Sequence, residues 1–136
     1  MTTAPSNRDD APLRRVRAQI PTDADAPAEA RRTLGPLAAA LPVETADVLE
    51  LVASELVTNS VRHSGVQTGT PIGLEASVDA GVVRLSVHDR GRGFHGTAGA
   101  EPGAMGGWGL QVVHGLVDRW WIEIGEGTRV VCEVGR

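Results

Sequence analysis

The chain has 136 residues, of which 41% are apolar, so it is long enough for one folded domain with its own hydrophobic core. Its formal net charge of -4 argues against a nucleic-acid-binding role, because such a role requires clustered basic residues on one face. All 13 basic residues are Arg, and the absence of Lys excludes Walker A loops and the protein-kinase fold, which both use a Lys to bind phosphate.

The single cysteine, Cys132, cannot form an intramolecular disulfide, which is typical of proteins in a reducing compartment. No early segment combines basic residues with the long apolar run of a secretory signal. The apolar runs are only a few residues long, whereas a membrane span needs roughly 20 apolar residues. We therefore expect a cytoplasmic protein that is not embedded in a membrane.

The first residues of the chain lack a periodic apolar pattern. Residues 1–12 are polar and rich in Pro and acidic side chains, so we expect a disordered leader before a single domain that spans residues 13–136. Residues 13–21, LRRVRAQIP, alternate apolar side chains with Arg and Gln. This alternation predicts an edge strand whose Arg side chains face solvent.

Two helices are predicted next. Residues 27–41 are rich in helix formers and begin with Pro, but Gly35 and Pro36 predict a helix that is kinked or split near its middle. In the segment 43–65, apolar residues recur at helical spacing, and Gly65 is well suited to end the helix. This second helix carries the first of three motifs.

The second half of the chain predicts two hairpins and a helix. Residues 70–79 and 82–88 alternate apolar and polar side chains on either side of a short turn, which is a strong hairpin signal. After a glycine-rich stretch, residues 110–120 resume helical spacing, and residues 121–134 alternate around residues 125–127 as a closing hairpin. Segregated strands and helices indicate an α+β class with a largely antiparallel sheet.

Two adjacent tryptophans stand at the start of this closing hairpin. In a strand, Trp120 and Trp121 point to opposite faces, so one ring faces the core and the other faces away from it. The outward ring could anchor a partner protein, because Trp is enriched at interface hot spots. A covered core position is the alternative.

The first motif combines three polar residues on the second helix. Glu55, Asn59 and His63 lie at i, i+4 and i+8, which places them on one stripe beside the apolar face. The Asn oxygen suits Mg²⁺, which takes one or two protein oxygens plus waters and substrate phosphates. Glu55 is then placed to orient or deprotonate a hydroxyl that attacks the terminal phosphate. A solvated helix face is the alternative, and the motif alone does not exclude it.

The second motif begins at Asp89, which ends an apolar strand and opens the string DRGRG. Gly91 and Gly93 give the backbone access to positive φ and allow close approach to a flat ligand. A buried carboxylate accepts a hydrogen bond from the exocyclic amine of adenine, whereas guanine presents a carbonyl oxygen there. Asp89 would therefore select ATP over GTP, and a tight turn with a solvated Asp is the alternative.

The third motif is the glycine-rich string GGWGL, residues 106–110, which directly precedes the predicted helix. Such an approach exposes the unpaired N–H groups of a helix N-terminus to an anion. The motif predicts a phosphate site, and ordinary loop or linker glycines are the alternative.

Together, four segments in order resemble the motifs of the GHKL ATPases, which contain a histidine kinase-like ATPase domain. ELVTNSVRHSG resembles the N box, HDRGRGF and GGWGL resemble the two glycine boxes, and EGTRV resembles the closing Gly-Thr. The resemblance covers roughly residues 13–134, and four matches in the right order are far more specific than any one of them. It implies the Bergerat ATP-binding fold, a two-layer sandwich whose mixed, mostly antiparallel sheet is covered on one face by helices.

Carried onto this sequence, the resemblance implies Glu55 as the catalytic base, Asn59 as the Mg²⁺ ligand, and adenine bound around Asp89 and Gly91. The full set of implied ATP-binding residues is Asn59, His63, Asp89, Gly91, Gly93, Gly107, Trp108, Gly109, Leu110 and Thr128.

Within that set, the resemblance places Gly107, Gly109 and Leu110 beside the phosphates. Thr128 would reach adenine directly or through water. His63 matches the N box, although a lone His on a helix is more often structural.

The short chain and the compact loop between Gly93 and Gly106 resemble the stand-alone anti-sigma-factor serine kinases. Members of that group bind a sigma factor and phosphorylate a serine of an anti-anti-sigma protein of the STAS type. The resemblance therefore implies these two partners, with ATP and Mg²⁺ as cofactors, and leaves homodimer formation open. No direct nucleic-acid or membrane partner is expected.

The loop departs from an efficient kinase in one respect. Residues 95–107, HGTAGAEPGAMGG, contain no Arg that could neutralise developing phosphate charge. A nucleotide-gated protein-binding module without kinase activity is therefore the alternative function. The detached catalytic domain of a sensor histidine kinase ranks last, because that class needs an upstream phosphoacceptor helix, which residues 1–12 are not expected to form.

Overall fold

A computed structural model describes residues 14–63, 66–90 and 109–135, with the side chains of His63 and Leu110 excepted. Within these ranges the elements, in chain order, are strand β1 (Arg15–Pro21), helix α1 (Ala26–Ala38), helix α2 (Val43–His63), strand β2 (Pro71–Asp79), strand β3 (Val82–Asp89), helix α3 (Gly109–Leu116), strand β4 (Arg119–Gly125) and strand β5 (Gly127–Val134).

The five strands form one sheet in the order β1-β2-β3-β5-β4, and every pairing in it is antiparallel. β3 is the central strand, while β1 and β4 form the two edges. Helix α1 contacts β1, and α2 contacts β3, β5 and both other helices, so the helices form a second layer. The predicted α+β class and its helix-covered, antiparallel sheet are confirmed.

The turn between β2 and β3 explains why the first hairpin forms. Ala80 and Gly81 have φ angles of 51° and 81°, and Asp79 is paired with Val82 across the turn. Positive φ at both central positions is typical of a type I′ turn, whose twist matches that of the flanking strands. The predicted hairpin is confirmed.

Helix α1 continues through Gly35 and Pro36, so a split of this helix, one of the two predicted outcomes, is wrong. Proline disrupts a helix most when it lies well inside, where its ring meets the carbonyl one turn earlier. Pro36 removes one i→i−4 hydrogen bond, but Leu34 and Leu37 on either side of it are buried, so core packing outweighs this loss. After the end of α1 the chain makes a 3₁₀-type turn, in which the N–H of Ala40 donates to the carbonyl of Leu37 at 3.1 Å.

Helix α2 confirms the long predicted helix, whose expected stop at Gly65 lies outside the described residues. Its 21 residues are interrupted by polar side chains, and none of the helices in the described ranges is both long and apolar enough to cross a membrane.

Helix α3 is shorter than the predicted segment 110–120. It ends at Leu116, and Trp120 already belongs to β4, where it is paired with Cys132. Strand pairing and core packing at Trp120 outweigh the local helical spacing, as tertiary context often does.

The hydrophobic core lies between the sheet and the helices. Alternate residues of each strand point toward α1 and α2, which is the expected result of the two-residue period of a strand. The largest fully buried side chains are Ile20, Leu34, Leu37, Leu49, Val52, Leu56, Val57, Ile72, Leu74, Val83 and Leu85. Trp120 packs against this core, which confirms that one of the two adjacent rings faces inward.

The opposite face of the sheet carries charged side chains in pairs. Arg15 and Arg17 contact the carboxylate of Glu75 at 2.5 and 3.0 Å and hold the pKa of Glu75 below its ordinary value. Both arginines are exposed, as the alternation of the first strand predicts. Across the sheet, Arg84 pairs with the buried carboxylate of Glu133 at 2.6 Å.

Trp121 lies on this charged face. The guanidinium groups of Arg84 and Arg119 stand 5.5 and 5.1 Å from its ring centroid, within the range of cation–π attraction. The second ring of the tryptophan pair therefore points away from the core, as predicted.

Candidate functional site

The ends of β3 and β5 bring two buried polar side chains together. Asp89 is the last residue of β3, Thr128 is the second residue of β5, and each is 2% exposed. The two residues are direct partners in the β3–β5 ladder. Strand alternation places Asp89 on the same face as buried Val87, toward the helices. Because a carboxylate is rarely buried without a partner or ligand, this end of the sheet is the candidate site.

Helix α2 supplies a hydrogen-bond partner for that carboxylate. The hydroxyl of Ser60 donates to Oδ2 of Asp89 at 2.9 Å, and Ser60 is 3% exposed. Ser60 follows the core residue Leu56 by one helical turn, so it lies on the buried stripe of α2. The hydrogen bond joins the helix layer to the end of the central strand.

Asn59, the residue before Ser60, is also buried. Its amide nitrogen Nδ2 has no hydrogen-bond partner among the described residues. A buried donor left unpaired costs about 1–3 kcal/mol, and such atoms in native proteins call for an explanation such as a missing ion or ligand. A ligand that brings an acceptor oxygen to Asn59 would remove this cost.

The turn between β4 and β5 packs against the backbone of Asp89. Gly127 has a φ of 89°, and a Cβ atom added to it would overlap the carbonyl oxygen of Asp89 and lie 2.9 Å from the Cα of Arg90. This position requires a positive φ and space that a Cβ would fill. Only glycine meets both requirements, because every other residue carries a Cβ and rarely adopts this φ. The backbone at Asp89 is thus held by the closing hairpin.

Glu55 lies one helical turn before Asn59 and is half-buried. Within the described ranges, its carboxylate takes part in no hydrogen bond or ion pair. A carboxylate in this position is able to act on a group that enters from solvent.

Gly109 begins α3 and Leu110 follows it, and α3 packs against α2. The first N–H groups of a helix have no partner within that helix, so this end of α3 suits an anion. His63 ends α2, but its side chain is not described. The remaining predicted ATP-binding residues lie outside the described ranges: Gly91, Gly93, Gly107 and Trp108.

The structure therefore pairs Asp89 with Thr128 and joins Asp89 to Ser60, which directly follows the buried Asn59 in α2; Glu55 lies one turn earlier on that helix. Sequence reasoning assigns no role to Ser60, and it places Gly127 in a turn and in the string that resembles the closing Gly-Thr. A signal for Ser60 does exist, because a serine at an apolar position of a helix needs a buried partner.

Comparison with known proteins agrees with this geometry. The sequence model of the family described as "Histidine kinase-like ATPase domain" matches residues 20–133. Among solved structures, the chain is similar to the histidine kinase domain from the Erythrobacter litoralis EL346 blue-light activated histidine kinase, with 25% sequence identity and a TM-score of 0.59. That similarity covers 93% of this chain and 71% of the other. No match was found among curated protein sequences.

Proposed function

We propose a function from one premise: the chain belongs to the histidine kinase-like ATPase domain family, and so it binds ATP. The proposal is that it holds Mg-ATP, transfers the γ-phosphate to a serine of a STAS-type anti-anti-sigma protein, and sequesters a sigma factor. The observation that supports a nucleotide site most directly is the buried pair of Asp89 and Ser60 next to Asn59, whose amide nitrogen lacks a partner.

Asp89 is the group proposed to read the base. An ionised carboxylate only accepts hydrogen bonds, so it pairs with the exocyclic amine of adenine. Guanine would place a carbonyl oxygen against it and leave a buried acceptor unpaired, at a cost of about 1–3 kcal/mol. We therefore expect GTP to bind about 10 to 100 times more weakly than ATP.

Asn59 fits the proposed Mg²⁺ and phosphate end of the site. Its buried amide offers an oxygen suited to a hard cation and an N–H donor that has no partner in the described residues. When bound, Mg²⁺ would neutralise negative charge on the phosphates. The part played by Asn59 is to hold this end of the nucleotide against α2.

Glu55 is the proposed general base. Its carboxylate would accept the proton of the attacking serine hydroxyl of the partner protein while the serine oxygen bonds to the γ-phosphorus and ADP departs. Its half-buried position one turn before Asn59 supports this role.

The sigma factor and the STAS-type protein are proposed as partners from the resemblance to anti-sigma-factor serine kinases, which leaves homodimer formation open. A competing candidate is a nucleotide-gated binding module without phosphoryl transfer, and the absence of Arg from residues 95–107 favours it. The similar Erythrobacter protein is a histidine kinase domain, so the amino acid that accepts phosphate must also be tested.

Calorimetric titration with ATP, with and without Mg²⁺, tests the site. Asp89→Asn should weaken ATP binding about 10 to 100 times, because an amide offers donors where the base amine also donates. Asn59→Ala should lose the gain in ATP affinity that Mg²⁺ provides, while Asn59→Asp, which keeps an oxygen for the cation, should retain that gain. Equal affinities of the wild-type chain for ATP and GTP would contradict the assignment of Asp89.

Transfer of labelled γ-phosphate to a STAS-type protein tests the chemistry. Glu55→Gln should lower the rate about 100 to 10,000 times at unchanged ATP affinity, and Glu44→Gln, at an exposed position of the same helix, should not change it. An acid-stable phosphoserine supports a serine kinase, and an acid-labile product points to histidine. Tight ATP binding without any transfer would favour the binding module.

A further inference from the structure

The hydrogen bond between Ser60 and Asp89 suggests more than a link between two elements. We propose that Ser60 is the positioning residue for base recognition: its hydroxyl fixes the carboxylate of Asp89 in the orientation that accepts an exocyclic amine. The inference rests on the proposed function, in that it takes Asp89 as the group that reads the base.

The direction of the hydrogen bond matters first. A carboxylate cannot donate, so the Ser60 hydroxyl must donate its only proton to Oδ2 across 2.9 Å. A serine inside a helix usually bonds the carbonyl of the preceding turn, and here its hydroxyl turns to the sheet instead. One hydroxyl occupies only part of the acceptor capacity of a carboxylate, so a second donor from a base is compatible with it.

The hydrogen bond also restricts the χ2 torsion of Asp89, which would otherwise vary widely. Rotation of the Asp carboxylate about its last bond is broad and has no sharp minimum. Ser60 itself is held by the core, since Leu56 and Val57 on the same helix are 2% and 0% exposed. A rigid donor therefore pre-orients the carboxylate before the base arrives, which lowers the entropic cost of binding.

A separate observation supports a ligand site beside this stretch of α2. Asn59, directly before Ser60, is 3% exposed and its Nδ2 lacks a partner in the described part of the chain. Two consecutive buried polar residues thus lie at the site. Ser60 donates to the carboxylate proposed to read the base, and Asn59 has an amide N–H without an acceptor in the described part of the chain. A purely structural link between α2 and β3 would not require the second.

The test compares ATP with purine riboside 5′-triphosphate, which lacks the exocyclic amine. Dissociation constants are measured by calorimetry with the full chain for the wild type, Ser60→Ala and Ser60→Thr. We expect Ser60→Ala to weaken ATP binding about tenfold, to leave the amine-free analogue within twofold, and to be rescued by Ser60→Thr. Ser54→Ala is the matched control, because Ser54 lies on the same helix and accepts a hydrogen bond from Arg31 instead.

The double variant Ser60→Ala/Asp89→Asn completes the cycle. If Ser60 acts through Asp89, the alanine change adds less than a twofold loss in the Asp89→Asn background. Should Ser60→Ala fail to fold by circular dichroism, Ser60→Cys, which keeps the size and weakens the donor, replaces it throughout.

An equal loss for ATP and the amine-free analogue would overturn the inference and leave Ser60 as a structural link. No loss of ATP affinity in the variant would overturn it as well. Failure of the wild-type chain to bind ATP would instead overturn the proposed function, and the inference with it.

Discussion

Cys132 is a residue whose chemistry is strongly altered by the fold. It is fully buried in β5, and burial together with the neighbouring Glu133 raises the pKa of its thiol from an ordinary 9.0 to about 12. Because the thiolate is the reactive form, we expect the native protein to resist iodoacetamide at about pH 8, whereas the guanidinium-unfolded chain reacts fully. Mass spectrometry of this single thiol gives the rate. Rapid labelling of the native protein would contradict the prediction.

The same shift predicts a loss of stability in alkaline solution. A thiol whose pKa is higher in the folded state stabilises the protein fully below about pH 9 and loses that contribution as pH rises toward 12. The chain contains no Lys and no Tyr, so no other side chain with an ordinary pKa titrates in this window. We expect the urea midpoint to fall between about pH 9 and 11 in the wild type but not in Cys132→Val. Parallel falls in both proteins would exclude the thiol as the cause.

At the scale of single residues, short strings identify only part of the site. Asn59, Asp89 and Thr128 stand in recognisable strings, and the structure buries all three, although their roles toward ATP stay predictions. Ser60 belongs to the same string as Asn59, but its partner is 29 residues further along the chain. Local patterns carry no information about such a pair.

Among the elements, the β4–β5 hairpin packs closely against the site, because Gly127 lies against the backbone of Asp89. Gly127→Ala would force a Cβ into the carbonyl of Asp89 at a φ that alanine avoids, so we expect a loss of about 2–4 kcal/mol in the free energy of unfolding. ATP affinity should fall with it, because the backbone at Asp89 must shift. Urea denaturation and calorimetry measure the two effects.

Gly115→Ala in α3 is the control for this prediction. No atom lies within 4 Å of a Cβ at Gly115, and its φ is not positive. Alanine there is expected to be neutral or to stabilise the helix by up to about 1 kcal/mol. Equal losses in the two variants would mean that the contact at Asp89 is not the reason.

Element types could be predicted more reliably than element ends. The first hairpin follows from alternation on both sides of a two-residue turn, and the long helix follows from its apolar spacing. The predicted split of α1 is wrong because buried Leu34 and Leu37 hold the helix on both sides of Pro36, and the predicted α3 is too long because Trp120 pairs with Cys132 in the sheet. Both errors reflect position and tertiary contact, which propensity does not contain.

For the molecule as a whole, ATP binding predicts ligand-linked stability. At 100 times the dissociation constant, ligand adds about 2.7 kcal/mol to the free energy of unfolding, which raises the melting temperature of a domain of this size by roughly 10 °C. Differential scanning fluorimetry with Mg-ATP measures the shift. GTP at the same concentration should produce a much smaller shift, and an equal one would contradict recognition of the amine.

The order of the strands in the sheet could not be predicted from the sequence pattern alone. Alternation predicts that neighbouring strands form hairpins, but it does not say that β5 inserts between β3 and β4. That placement creates the ladder in which Asp89 faces Thr128, and it depends on long-range packing. Only the resemblance to a known family could supply it in advance.

The location of Asp89 at the end of the middle strand has a further consequence. Two strands flank β3 on each side, so fraying at either margin of the sheet stops short of the carboxylate. Amide protons in the paired part of β3 would exchange with deuterium more slowly than those of the edge strands β1 and β4. On warming, nucleotide recognition would then vanish abruptly with the fold instead of fading by degrees.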